Sequence, residues 1–85
     1  MFTLPAVLTH AVATQVAATL AKEVATQPNT VVVDASLLAQ FDSSALAVLL
    51  ECRRQALAAG KGFAVAAAPD RLLQLARVYG VLPLI

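Results

Sequence analysis

The chain is short of charge, cysteine, histidine and glycine, and each shortage removes a class of function. Charged residues make up 13%, and Lys and Arg exceed Asp and Glu by one, for a net charge of +1. The basic residues are scattered through helical patterns rather than run together, so no field exists to hold a nucleic acid. The single cysteine, Cys52, cannot close an internal disulfide, which makes a reducing cytoplasm the expected compartment. Gly60, Gly62 and Gly80 form neither a P-loop nor a dinucleotide-binding fingerprint. Nothing in the chain cradles a nucleotide's phosphates, and no ATPase activity or cofactor is expected. A Ser–His–Asp arrangement would have to use His10 with Ser43 or Ser44 and an aspartate, but there is no nucleophile elbow, and 85 residues give too little mass to wall a substrate pocket. The expected protein is not an enzyme.

Long hydrophobic runs are also missing. Gln, Lys, Glu, Asp or Arg interrupts every stretch before it reaches the roughly 20 apolar residues of a membrane span. The opening MFTLPAVLTHAVATQVAATL has no positive region and is broken by Pro5 and His10, which speaks against a secretory signal peptide. No repeat, linker or low-complexity segment divides residues 1–85, and one domain is expected to fill them.

Apolar residues are plentiful, at 60% of the chain, with alanine supplying much of the excess. A domain this small buries only about 60 to 65 per cent of the surface its unfolded chain exposes. Leftover apolar surface of that kind suits a protein that lives against a partner.

The order of elements follows from periodicity. Phe2 to Leu4 reads as a short strand ended by Pro5. From Thr9 to Val24, Val12, Val16, Leu20 and Val24 recur at helical spacing, with Gln15, Lys22 and Glu23 elsewhere on the wheel. Gln27, Pro28 and Asn29 form a turn, and the β-branched run Thr30 to Val33, apolar on both faces, suits a central strand. Asp34 to Phe41 reads as a loop. Asp42, Ser43 and Ser44 then supply helix-start chemistry for a helix to about Ala59, with Ala45, Val48, Leu49, Cys52 and Ala56 on its core face. Gly60 and Gly62 end it, Phe63 to Ala66 makes a small strand, and Pro69 opens a third helix whose inner face is Leu72, Leu75, Ala76 and Tyr79. The alternation implies an α/β layer with helices on one or both faces of a small sheet.

The candidate chemistry gathers at the start of the second helix. Ser43 and Ser44 lie beside unsatisfied N–H donors and the positive end of a helix dipole. They read as caps, worth on the order of 1 kcal/mol, and also as a switch, because phosphate on either adds up to about two negative charges at a docking surface. Asp34 and Asp42 flank the same loop. Without a third carboxylate they are expected to hydrogen-bond loop N–H groups and cap the helix, not to hold a metal. Leu46, Leu50 and Leu57, with Arg53 among them, form a second apolar line beside the core stripe. It reads either as a widened buried face or as a docking ridge next to the serines. Cys52 is expected to pack in the core.

Taken in order, LTHAV, TVVVDAS, FDSSALAVLLE and AAGKGFAVAAAPDRLLQLARVYGV resemble the STAS family, the domain of sulfate transporters and anti-sigma factor antagonists. Within that family the chain is most similar to the MlaB-type subunit of the bacterial Mla phospholipid-transport ABC system, with Thr9, Asp42, Ser43, Leu46, Ala76 and Arg77 at matching positions. The resemblance implies a small α/β domain with a short mixed sheet, helices packed on it and an abbreviated N-terminal strand region. It implies a non-catalytic cytoplasmic subunit, peripheral to the inner membrane, that binds the transporter's ATPase and through it the permease. The implied contact residues are Asp42, Ser43, Ser44, Leu46, Leu50 and, more weakly, Thr9. The alternative it implies is an anti-sigma factor antagonist phosphorylated on Ser44, with Ser43 the corresponding hydroxyl of the transporter subfamily. Ala45 departs from the family, which carries Gly or another small residue there. The shortened N-terminal sheet leaves an edge open to a partner or to a second copy in a homodimer.

Overall fold

The computed structural model describes all 85 residues, Met1–Ile85. The chain runs β1 (Phe2–Thr3), β2 (Val7–Leu8), α1 (His10–Thr26), β3 (Thr30–Asp34), β4 (Gln40–Phe41), α2 (Ser43–Ala58), β5 (Gly62–Ala66), α3 (Asp70–Val78) and a closing 3-10 turn, Leu82–Leu84. β3 is the centre of a sheet ordered β1-β3-β5, and β2 pairs separately with β4. Every one of these ladders is parallel, so the mixed sheet expected from the sequence is in fact a parallel one. Parallel neighbours need a crossover, and α1 and α2 supply it.

Register explains the apolar run of β3. Val31 pairs with Phe63 and Val33 with Val65, and this face points into a core that includes Val16, Leu20 and Val24 of α1 and Leu49, Cys52 and Ala56 of α2. Leu20 and Leu49 are almost fully buried; each contributes about 2 kcal/mol by leaving water. On the opposite face Val32 pairs with Ala64, which is exposed. No helix is long and apolar enough to cross a membrane.

The N-terminal segment does more than a strand ended by Pro5. Leu4 donates its N–H to the Asp34 carbonyl at 2.8 Å, and after Pro5 the Ala6 carbonyl accepts from Ala39 and Gln40 at 2.8 and 2.9 Å. One bent strand thus pairs first with β3 and then with β4, and the segment expected as pure loop, Asp34 to Phe41, ends in a strand. Two-residue ladders are too short for alternation to reveal.

Helix ends follow local rules. α2 and α3 both finish with a glycine at positive φ, Gly60 at 74° and Gly80 at 73°. In each case the glycine N–H and the next one turn back onto the helix: Gly60 to Leu57 and Lys61 to Ala56, Gly80 to Arg77 and Val81 to Ala76. This is the Schellman arrangement, which needs a left-handed residue. Lys61 also sends its ammonium to the Val24 carbonyl at the end of α1. Gln27, the one buried polar side chain, accepts the Val32 N–H at 2.9 Å and donates to Glu23 at 3.3 Å. A side chain therefore stands in for backbone beside β3.

Candidate functional site

Asp42 organises the site. Its backbone is extended at the N-cap of α2, and one carboxylate oxygen accepts the Ser44 N–H at 2.8 Å. The other accepts the His10 N–H at 3.1 Å, at the first residue of α1. One side chain caps two helices. These backbone donors, Ser44 first and His10 second, hold the carboxyl below its ordinary pKa. Thr9 occupies the N-cap of α1 but its side chain makes no capping bond, and Asp42 caps the helix instead.

The two serines part company. Ser43 is exposed and lines two depressions on the α3 side of α2. Ser44 is half-buried and lines a third, about 290 Å³, between α1 and α2 with His10, Ala13, Ala17, Ala47 and Glu51. Successive helical residues point about 100° apart, which is why neighbours in sequence open onto different grooves.

Of the two depressions at Ser43, the larger, about 570 Å³, runs between Phe41, Asp42, Arg71, Gln74, Leu75 and Val78. The smaller, about 320 Å³, is lined by Leu46, Ala47, Leu50 and Val81. Tyr79 borders both. Its ring is not on the inner face of the third helix: α3 ends at Val78, Tyr79 is the C-cap and is 59% exposed, and Val78 is 82% exposed. The turn at Gly80 then brings Val81 into the wall of the smaller depression.

The second apolar line of α2 splits. Leu46 is 4% exposed and belongs to the core, so it is the floor of the depression and not a projecting ridge; Leu50 is half-buried beside it, and Leu57 is 48% exposed. Asp34 takes no part in the site, since its carboxylate accepts the Ser36 N–H at 2.9 Å within its own loop. No three His, Cys, Asp or Glu side chains come together. Cys52 is buried, which raises its thiol pKa.

The family described as "Mlab, STAS domain" matches residues 2–84. The chain belongs to the STAS family. No curated protein matches it. STAS domains in general serve protein interaction and regulation as non-catalytic modules, and the geometry of this STAS domain bears on that role. His10, Asp42 and Ser44 do come near one another, but Asp42 meets His10 through its backbone N–H and makes no hydrogen bond to the imidazole, so it does not orient that ring as a triad aspartate would.

The sequence does not point to Phe41, Gln74 or Val78 as parts of this STAS surface, and its third-helix stripe turns Tyr79 inward, away from it. Gly80 was the available signal for Tyr79. A glycine at the end of a helical pattern marks where the stripe ceases to face the core.

Proposed function

We propose that this STAS domain is a non-catalytic accessory subunit that binds the ATPase of an Mla-type ABC phospholipid transporter, at the cytoplasmic side of the inner membrane, through the face centred on Ser43. The observation that carries the reading is the placement of Ser43: a hydroxyl exposed at the start of α2, with an apolar depression on one side, a more polar one on the other, and the exposed Tyr79 between them. Such a surface has the make-up of a docking site, with an aromatic anchor, apolar floor and polar rim. Asp42, Leu46, Leu50 and Ser43 all border it. Thr9 and Ser44 do not.

The alternative, an anti-sigma factor antagonist switched by phosphate on Ser44, draws on the other groove. Ser44 lines the α1–α2 depression and its N–H is one of the two donors held by Asp42. A phosphate there would sit against a carboxylate already engaged with both helices.

Recovery of the tagged protein from its own membranes in mild detergent, with retained proteins identified by mass, separates the two. An ABC ATPase and permease support the first reading, and a soluble serine kinase or sigma-factor regulator supports the second. Ser43→Asp is expected to keep the thermal midpoint yet weaken ATPase binding, because it puts a charge where an interface meets a neutral hydroxyl. Unchanged affinity would count against the Ser43 face.

A further inference from the structure

The charge pattern around Ser43 narrows the chemistry of what docks there. Arg71 stands in the wall of the larger depression with its guanidinium carbon 5.3 Å from the centroid of the Phe41 ring. Stacking on an aromatic face steadies a long cation. Arg71 has no acidic partner, the chain's one ion pair being Arg54 with Glu51. Asp42 is the only acid in the same wall; it accepts the N–H groups of His10 and Ser44 and forms no ion pair with Arg71. Across Tyr79, the smaller depression holds Leu46, Ala47, Leu50 and Val81 and no charged residue.

We infer that the protein partner presents to this face a carboxylate side chain that pairs with Arg71, and beside it an apolar side chain that fills the depression between Leu46, Leu50 and Val81. The inference rests on the Ser43 face being the ATPase-binding surface and supplies the partner's charge pattern. Arg71 then sets specificity: a partner with a basic residue at that point meets the Arg71 cation and is repelled.

The test is calorimetric titration of the whole domain with the transporter's ATPase subunit at low and high salt. Arg71→Gln is expected to weaken binding by roughly ten- to a hundredfold, the range for a charge-assisted hydrogen bond, and to flatten the salt dependence. Arg71→Lys restores part of it, since the charge returns without the planar fork. Arg71 is exposed, so the thermal midpoint should stay near that of the unsubstituted protein. Arg71→Glu against an acid-to-arginine exchange in the ATPase regains binding only if the two charges meet. Tight binding by the unsubstituted protein with no change in Arg71→Gln overturns the inference and leaves the docking reading intact. No binding by the unsubstituted protein overturns the docking reading itself, and the inference with it. Arg71-dependent binding to vesicles of anionic phospholipid, without ATPase binding, assigns the cation to lipid and also overturns the inference.

Discussion

Left-handed backbone occurs at three places, and its occupants allow a test in which the sign of each effect is fixed in advance. Gly60 and Gly80 have φ of 74° and 73°, and a Cβ added at either would meet nothing within 4 Å. Contacts therefore contribute no penalty, and the whole cost of Gly→Ala is conformational. An L-residue in the left-handed region costs about 1 to 2 kcal/mol. The unfolded chain recovers about 0.4 to 1 kcal/mol of that because alanine has less freedom to lose. Gly60→Ala and Gly80→Ala should each destabilise by about 1 kcal/mol, a fall in thermal midpoint of about 4 to 8 °C for a domain of this size. Ala67, exposed after β5 at φ 55°, is the reverse case. Ala67→Gly should stabilise by about 1 kcal/mol by the same arithmetic.

Partner binding splits the first two. The turn at Gly80 holds Tyr79 and Val81, which border the docking depressions, whereas Gly60 ends α2 at its other terminus. Gly80→Ala should weaken partner binding beyond what its stability loss explains, and Gly60→Ala should not. Urea unfolding measures the first quantity and calorimetric titration the second. Equal stability for Gly80→Ala and the unsubstituted protein would refute the argument that this turn requires a left-handed residue. Equal binding by the two alanine variants would refute the claim that the turn shapes the surface.

Further outcomes follow from polar groups. Gln27→Leu keeps the volume but leaves the Val32 N–H without its acceptor, and should cost about 1 to 3 kcal/mol in urea unfolding; no loss would show that water serves equally well. Gln27→Glu keeps an acceptor but faces Glu23, now 3.3 Å from the amide nitrogen, so its deficit should shrink as pH falls and one of the two acids protonates. The Asp42 carboxyl is held below its ordinary value of 3.8 by the N–H groups it accepts. A depressed pKa in the folded state gives stability that is complete above the unfolded pKa and is lost as pH falls through the folded one. The urea midpoint should therefore drop below about pH 4, and Asp42→Asn should make that drop shallower. Glu51, lowered to about 2 mainly by Arg54, titrates over an overlapping range, so Glu51→Gln should also make the acid drop shallower, by an amount that salt reduces because its partner Arg54 is exposed.

Long periodic segments were legible and short non-local ones were not. Periodicity predicts α1 over Thr9 to Val24, and it spans His10–Thr26; the β-branched run predicts β3 over Thr30 to Val33, and it spans Thr30–Asp34. β2 and β4 were missed because a strand of two residues has no period. Asp42 was recognised as a helix start, which is local chemistry, but its bond to His10 joins residues 32 apart and leaves no trace in either segment. Leu72, Leu75, Ala76 and Tyr79 continue one stripe, which points Tyr79 inward, and a stripe predicts burial only while the helix lasts. The Val32 N–H needed an acceptor because β1 pairs only as far as Phe2 with Val33; that shortfall exists only in the folded sheet.

The divergence of Ser43 and Ser44 constrains any account of regulation. A partner seated on the α3 side touches Ser43 and Tyr79 and has no direct access to Ser44, which opens between α1 and α2. Phosphate on Ser44 would reach such a partner only by disturbing Asp42, whose carboxylate accepts the Ser44 N–H and also borders the Ser43 depression. Repulsion between phosphate and carboxylate would loosen the bond to His10 as well, so the first turn of α1 would lose its cap in the same event. A direct effect at Ser43 and a relayed effect at Ser44 therefore differ in one observable. Ser43→Asp should weaken binding while amide exchange in the first turn of α1 stays slow, whereas Ser44→Asp should speed that exchange whether or not a partner is present.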